Sequence, residues 1–133
     1  MAIDGSESSS HALDTAIELA SLLGAQLTAL AVEGPLPAYA ATLGEVDEVK
    51  REKDRFFGGL CADATKRARD AGIDLDVRLR PGYAAELIAR YAVEVRADLI
   101  VVGHKGHFAR THLLGSTADR VANHARAPVL IVR

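Results

Sequence analysis

The chain is poor in cysteine: Cys61 stands alone, so no intrachain disulfide is possible, and the composition fits a reducing compartment. It also lacks any excess of charge. Its 16 Lys and Arg against 18 Asp and Glu leave a net −2, the pI is near 6.2, and no basic run stands out. That balance argues against a general nucleic-acid binder, whose electrostatic footprint is a basic excess. No apolar run approaches the roughly 20 residues that span a bilayer, and the first residues lack the charged and apolar regions of a secretory signal. A cytoplasmic chain with neither membrane nor nucleic acid as partner is therefore expected. Internal repeats and low-complexity segments are absent. Without disulfides the core must come from burial, for which 133 residues in a single domain suffice.

What is present is an alternation of short apolar runs with helical stripes. Met1-Ala-Ile3 reads as the end of a strand, because Asp4-Gly5-Ser6 is turn chemistry and Ser8-Ser9-Ser10 offers helix N-caps. Leu13, Ala16, Ile17, Ala20 and Leu23 recur at three and four, predicting an amphipathic helix that Gly24 ends. A strand over Gln26 to Glu33 follows, then a loop from Gly34 that Pro35 and Pro37 keep irregular. Glu45 to Ala71 carries a longer helix with Val46, Val49, Phe56, Phe57, Leu60, Ala64 and Ala68 on one side and a candidate bend at Gly58-Gly59. Cys61 shares the apolar side and reads as packing. Ile73, Leu75, Val77 and Leu79 alternate with polar residues, as on a half-exposed edge strand.

After Pro81-Gly82, the residues Ala84, Leu87, Ile88, Tyr91 and Val95 make another helical stripe. Leu99-Ile-Val-Val102 does not alternate, which predicts a strand covered on both faces in a parallel sheet. A helix from Ser116 to about Ala125 leads through Pro128 to a last strand, Val129 to Val132. Strands alternating with helices give an α/β fold, an open parallel sheet built by right-handed crossovers with helices on both faces. Such sheets bind ligands at the carboxyl ends of the strands, where the strand order reverses. With the first and fourth strands as neighbours, Asp4 and Gly103 face one crevice, bordered by Val32.

The chemistry concentrates between Gly103 and Thr117. Here the spacing is G-x2-G-x8-G-S-T, placed between a strand and a helix. A helix start leaves amide N–H groups without intrahelical partners and carries the positive end of the macrodipole, so it favours an anion. Gly115 removes the side chain that would block approach, and Ser116 and Thr117 add hydroxyl donors. Gly103, after Val102, is expected to let a ribose or phosphate lie against the main chain, and Gly106 to take a positive φ. The pattern is neither the Walker loop nor the dinucleotide fingerprint. A bland account is also open, in which Gly103 and Gly106 shape a loop and Gly115-Ser116 caps a helix.

These residues resemble a known family. Gly103-x2-Gly106, a long loop, Gly115-Ser116-Thr117 and the closing Ala127-Pro-Val-Leu-Ile-Val-Arg133 look like the nucleotide-binding signature of the universal stress proteins, as does the opening Met1-Ala-Ile-Asp-Gly-Ser-Glu-Ser-Ser9. The ATP-binding branch usually has G-x2-G-x9-G-[ST], so this loop is one residue short. The family's first strand is several residues longer, which leads one to expect residues lost upstream. The resemblance implies a five-stranded, doubly wound parallel sheet of order 3-2-1-4-5, of the adenine nucleotide alpha hydrolase-like kind. It also implies bound ATP, or AMP or ADP, with Mg2+ as a companion, and a homodimer through the last strand read by a regulatory protein partner. Asp4 would then lie at the adenine, with Ala2, Ile3 and Val32 lining the base pocket.

Several of these residues carry an ordinary reading beside the functional one. Asp4 can accept from an adenine amino group or a ribose hydroxyl, or it can form a turn by bonding the amides of Ser6 or Glu7. His104, Lys105, His107, Arg110 and His112 can pair with phosphates, Arg110 best because a guanidinium grips two oxygens, or they can be a solvated basic loop. A zinc site is disfavoured, since no cysteine or nearby carboxylate completes a tetrahedral set. Tyr39, Tyr83 and Tyr91 are expected to pack with one edge wet. Besides a nucleotide-dependent regulatory module, two further functions are compatible: a slow ATP hydrolase, for which no base and nucleophile stand out, and a nucleotide-free interaction module. A phospho-receiver domain fits poorly, because Asp4 is alone and Arg80-Pro-Gly82 stands where the receiver's aspartate would be.

Overall fold

A computed structural model of the chain describes residues 1–35, 42–106 and 114–133. Along it run β1 (Ala2–Ile3), α1 (Glu7–Leu23), β2 (Leu27–Glu33), α2 (Leu43–Asp70), β3 (Leu75–Pro81), α3 (Ala84–Glu94), β4 (Ile100–Gly103), α4 (Ser116–His124) and β5 (Val129–Val132). Every paired strand is parallel, as the alternation predicts. The expected single five-stranded ladder is divided, however: hydrogen bonds give the order β1-β2-β3 and, separately, β4-β5. β1 packs beside β4. With only two residues, though, it ladders with β2 alone, Ala2 opposite Leu30 and Ile3 opposite Ala31.

The strands' alternation sorts side chains between two helical layers. On one face, Ile3, Ala29, Ala31 and Leu75 pack against Leu13 and Ile17 of α1 and Phe57, Ala64 and Ala68 of α2. On the other, Leu30, Ile100 and Val102 pack against Ile88 and Tyr91 of α3 and Ala118 and Val121 of α4. β4 shows why an unbroken apolar run signals a two-sided strand. Its Val101 meets Ala12 and Ala16 of α1 while Ile100 and Val102 face the opposite layer.

The helix ends explain how the sheet's carboxyl edge is built. α1 starts earlier than its apolar stripe, at Glu7, and its N-cap is Ser6, whose side chain accepts from Ser9 N. The serines at 8 to 10 lie inside the helix rather than capping it, because the Asp4-Gly5 turn already delivers Ser6 in extended geometry. Thr42 and Glu45 form a reciprocal capping box at the start of α2, and the helix continues through Gly58-Gly59 without a break. Cys61 is half-buried and packs on the core, as read. Five readings fail by exposure: Leu23 is 71%, Phe56 46%, Tyr83 69%, Val95 44% and Leu99 38% exposed; all but Phe56 stand at or just beyond the ends of their elements, where the sheet no longer covers them. Tyr91 packs as expected, beneath Arg80, which stacks 4.6 Å from its ring centroid. Tyr39 lies outside the described residues.

Candidate functional site

At the carboxyl end of β1 the Asp4 carboxylate does two jobs with its two oxygens. Oδ1 accepts from Ser6 N at 2.9 Å and lies 2.6 Å from Ser6 Oγ, so the turn-forming reading is realised. Oδ2 takes no hydrogen bond from the described residues and stands where a side chain on Gly106 would be, 2.9 Å from an ideal Cβ there. Ser9 Oγ accepts from Asp4 N at 3.1 Å, and Ser6 Oγ also reaches Lys105 O at 3.1 Å. The first turn of α1 is thereby stapled to the turn after β4, through residues nearly a hundred positions apart.

The glycines are needed for reasons other than those the spacing predicts. A Cβ on Gly103 would come within 2.7 Å of Ser8 C and Ser9 N and 2.8 Å of Ser8 O. That space belongs to the backbone of α1, so the missing side chain of Gly103 serves strand-to-helix packing, while the residue itself lines the cleft described below. Gly106 is not among the glycines with positive φ, which are Gly5, Gly24, Gly72 and Gly82; its missing side chain makes room for Asp4. Gly115 is buried and packs on the turn, with an ideal Cβ 3.1 Å from His104 O and 3.3 Å from Lys105 Cα. Its amide is not free as expected but donates to His104 O at 2.7 Å.

The free donors begin one residue later. The first helical bond of α4 runs from Asp119 N to Gly115 O at 2.9 Å, and the N-cap supplies no side-chain partner. The amides of Ser116, Thr117 and Ala118 therefore have no acceptor among the described residues, in a helix whose dipole is positive at this end. They open on a cleft of about 1050 Å³, at the upper end of the roughly 300–1,000 Å³ usual for small-molecule sites. Ala2, Ile3, Asp4, Val32, Val102, Gly103, Lys105, Gly106, Gly115, Ser116 and Thr117 all line it. The protein's described side chains do not fill it. Beside it, His104 Nδ1 and Ser8 Oγ share a 2.8 Å hydrogen bond, which turns that imidazole toward α1.

A sequence model of the universal stress protein family matches residues 1–133. The chain belongs to that family. It is 31% identical to the universal stress protein YxiE of Bacillus subtilis, over all of this chain and 96% of that one. Among solved structures it resembles a universal stress protein crystallised in complex with cAMP, with 31% identity, a TM-score of 0.77 and coverage of 100% and 94% of the two chains. The fold also matches universal stress protein UspA of Lactobacillus plantarum, with a TM-score of 0.86 at 24% identity over 99% and 94%.

For this universal stress protein, the geometry gathers almost every residue singled out from the sequence; Arg110, with His107 and His112, lies outside the described residues. Others were missed. Lys53, Phe56 and Phe57 of α2 and Ile88 of α3 also line the cleft. Within its own helix Lys53 looks like one more solvated charge, and only the packing of α2 across the end of β2 brings it to the site. Ser6 and Ser9 could have been found, because Asp-Gly-Ser before an apolar stripe is a turn followed by a cap. Among the described residues no group of three or more His, Cys, Asp or Glu is placed to hold a metal ion, and no helix is long and apolar enough to cross a membrane.

Proposed function

We propose that the cleft binds an adenine nucleotide, ATP or its di- or monophosphate, and that the protein is a regulatory module whose state depends on it. The observation that carries this reading is one cavity lined by both an open acceptor and unpartnered donors. Asp4 Oδ2, which takes no hydrogen bond from the described residues, lies beside the Lys105-Gly106 turn, and the unpartnered amides of Ser116 to Ala118 line the same cleft. A carboxylate acceptor suits a purine amino group or ribose hydroxyls, and amides at a helix start suit phosphate oxygens. Val32, Ile88 and Val102 supply the apolar wall on which a base can lie. The relative solved with cAMP supports an adenine nucleotide as the class. Mg2+ would come with the phosphates, since it keeps water and takes phosphate oxygens rather than needing a protein cage.

The wider reading is that β1 and β4 complete one sheet of order 3-2-1-4-5, and that two copies pair through β5. Among the described residues β5 ladders only with β4, which leaves its other edge available to a second chain. On this reading the protein is a cytoplasmic, dimeric stress-response module recognised by another protein. The direct test is to denature the purified protein, identify any released nucleotide by mass spectrometry, and titrate the emptied protein with ATP, ADP, AMP and cAMP by calorimetry. Absence of heat with all four would remove the nucleotide from the account, and light scattering that gives a monomer mass would remove the dimer.

A further inference from the structure

The two halves of α2 are held very differently. In the second half, Ala64 and Ala68 are 1% and 0% exposed, and Arg67 donates to Ser10 Oγ at 2.9 Å and Ser10 O at 3.1 Å while pairing with Asp14. In the first half, Phe57 is the one buried residue, although this half walls the cleft with Lys53, Phe56 and Phe57. Gly58 and Gly59 lie at the division. Glycine is the poorest helix former after proline, so two in succession in a helix interior call for a reason. Packing is not that reason: outside the helix's own turn, nothing lies within 4 Å of a Cβ at either position. What the pair contributes is backbone freedom.

Besides Phe57 in the core, the first half is tied to the chain that follows β2. Lys53 Nζ donates to Gly34 O at 2.5 Å and Pro35 O at 3.3 Å and lies 3.6 Å from Glu33 Oε1. Its partners are the last residue of β2 and the two that follow it, close after Val32 in the lining of the cleft. Phe56 lines both the cleft and a smaller cavity of about 330 Å³ that borders Gly59 and Leu60, so the ring has space to move into.

We propose that residues 43–57 form a hinged cover over the cleft, pivoting at Gly58-Gly59, with Lys53 as its latch. Lys53 is then a positioning residue, holding the cover and the end of β2 together around the ligand. Opening releases Lys53 from its acceptors and turns Phe57, next to the pivot, out of its place in the core, while the Ala64–Ala68 packing stays. The ligand's identity rests on the adenine-nucleotide reading; the movement does not.

Two measurements on the full chain test it. By native-state hydrogen exchange, amides of residues 46–57 should exchange faster than those of 62–70, and the Gly58→Ala/Gly59→Ala variant should slow them selectively while raising Tm. By stopped-flow with a fluorescent AMP analogue, that variant should slow association and dissociation together by about tenfold, whereas Lys53→Met should speed dissociation by about tenfold with little change in Tm. Uniform exchange along α2, or exchange that neither variant alters, overturns the cover. Normal exchange behaviour with unchanged nucleotide rates overturns the latch. If the wild-type protein binds no nucleotide at all, the adenine reading falls and the exchange measurements still decide whether the cover moves.

Discussion

Asp4 Oδ2 occupies the place that a side chain at Gly106 would need, 2.9 Å from its ideal Cβ. The carboxylate that can meet the ligand is thus positioned from below by Ser6 and bounded from above by a glycine. Replacing Asp4 by Asn keeps an oxygen for the Ser6 amide and puts an NH2 group in place of Oδ2. Adenine-nucleotide affinity should fall about tenfold, ~1.4 kcal/mol, with Tm nearly unchanged, whereas Asp4→Ala should lower both. Calorimetric titration with thermal melts separates the two; equal affinity for Asp4→Asn and wild type would take Asp4 out of the ligand's contacts.

Gly103→Ala should destabilise the protein in the absence of any ligand. Its methyl group would meet the Ser8 and Ser9 backbone at 2.7 Å, and backbone cannot rotate aside as a side chain can. A loss of about 2 kcal/mol is expected from overpacking of this kind, measured by urea denaturation without nucleotide. An alanine variant as stable as wild type would mean that α1 does not press on β4 here.

Gly115→Val should act on the ligand more than on the fold. At 3.1 Å from His104 O and 3.3 Å from Lys105 Cα, the new side chain can be relieved by displacing the turn of residues 104–106. That displacement moves Lys105 and the Asp4 boundary away from the α4 amides. Nucleotide affinity should drop at least about tenfold, with a stability loss near 1 kcal/mol. Unchanged affinity would count against the helix start as the anion site.

How much of this was legible beforehand follows from which forces are local. β4 announced itself because four consecutive apolar residues leave no polar face, and Val101 and Val102 do point into opposite layers. The Gly-Ser-Thr start of α4 was equally plain, since an N-terminus and its free amides are written in adjacent residues. The purposes of Gly103 and Gly106 were not, because a glycine says only that a Cβ is unwelcome and never who objects. The neighbours prove to be α1 and Asp4, brought in by the crossover. Lys53 was hidden for the same reason: its acceptors are main-chain carbonyls about twenty residues earlier, which no side-chain pattern records. The one ladder expected across five strands is divided at the two-residue β1, which bonds to β2 and only packs beside β4.

His104 gives its N–H to Val132 O at 2.7 Å, receives Gly115 N–H on its carbonyl at 2.7 Å, and meets Ser8 through its ring at 2.8 Å. The start of α4 and the end of β5 are thus joined through the backbone N–H and C=O of one residue. On the nucleotide reading, a displacement of Gly115 would reach β5 without a long relay. One shared residue makes the berth and the outer margin parts of the same lever.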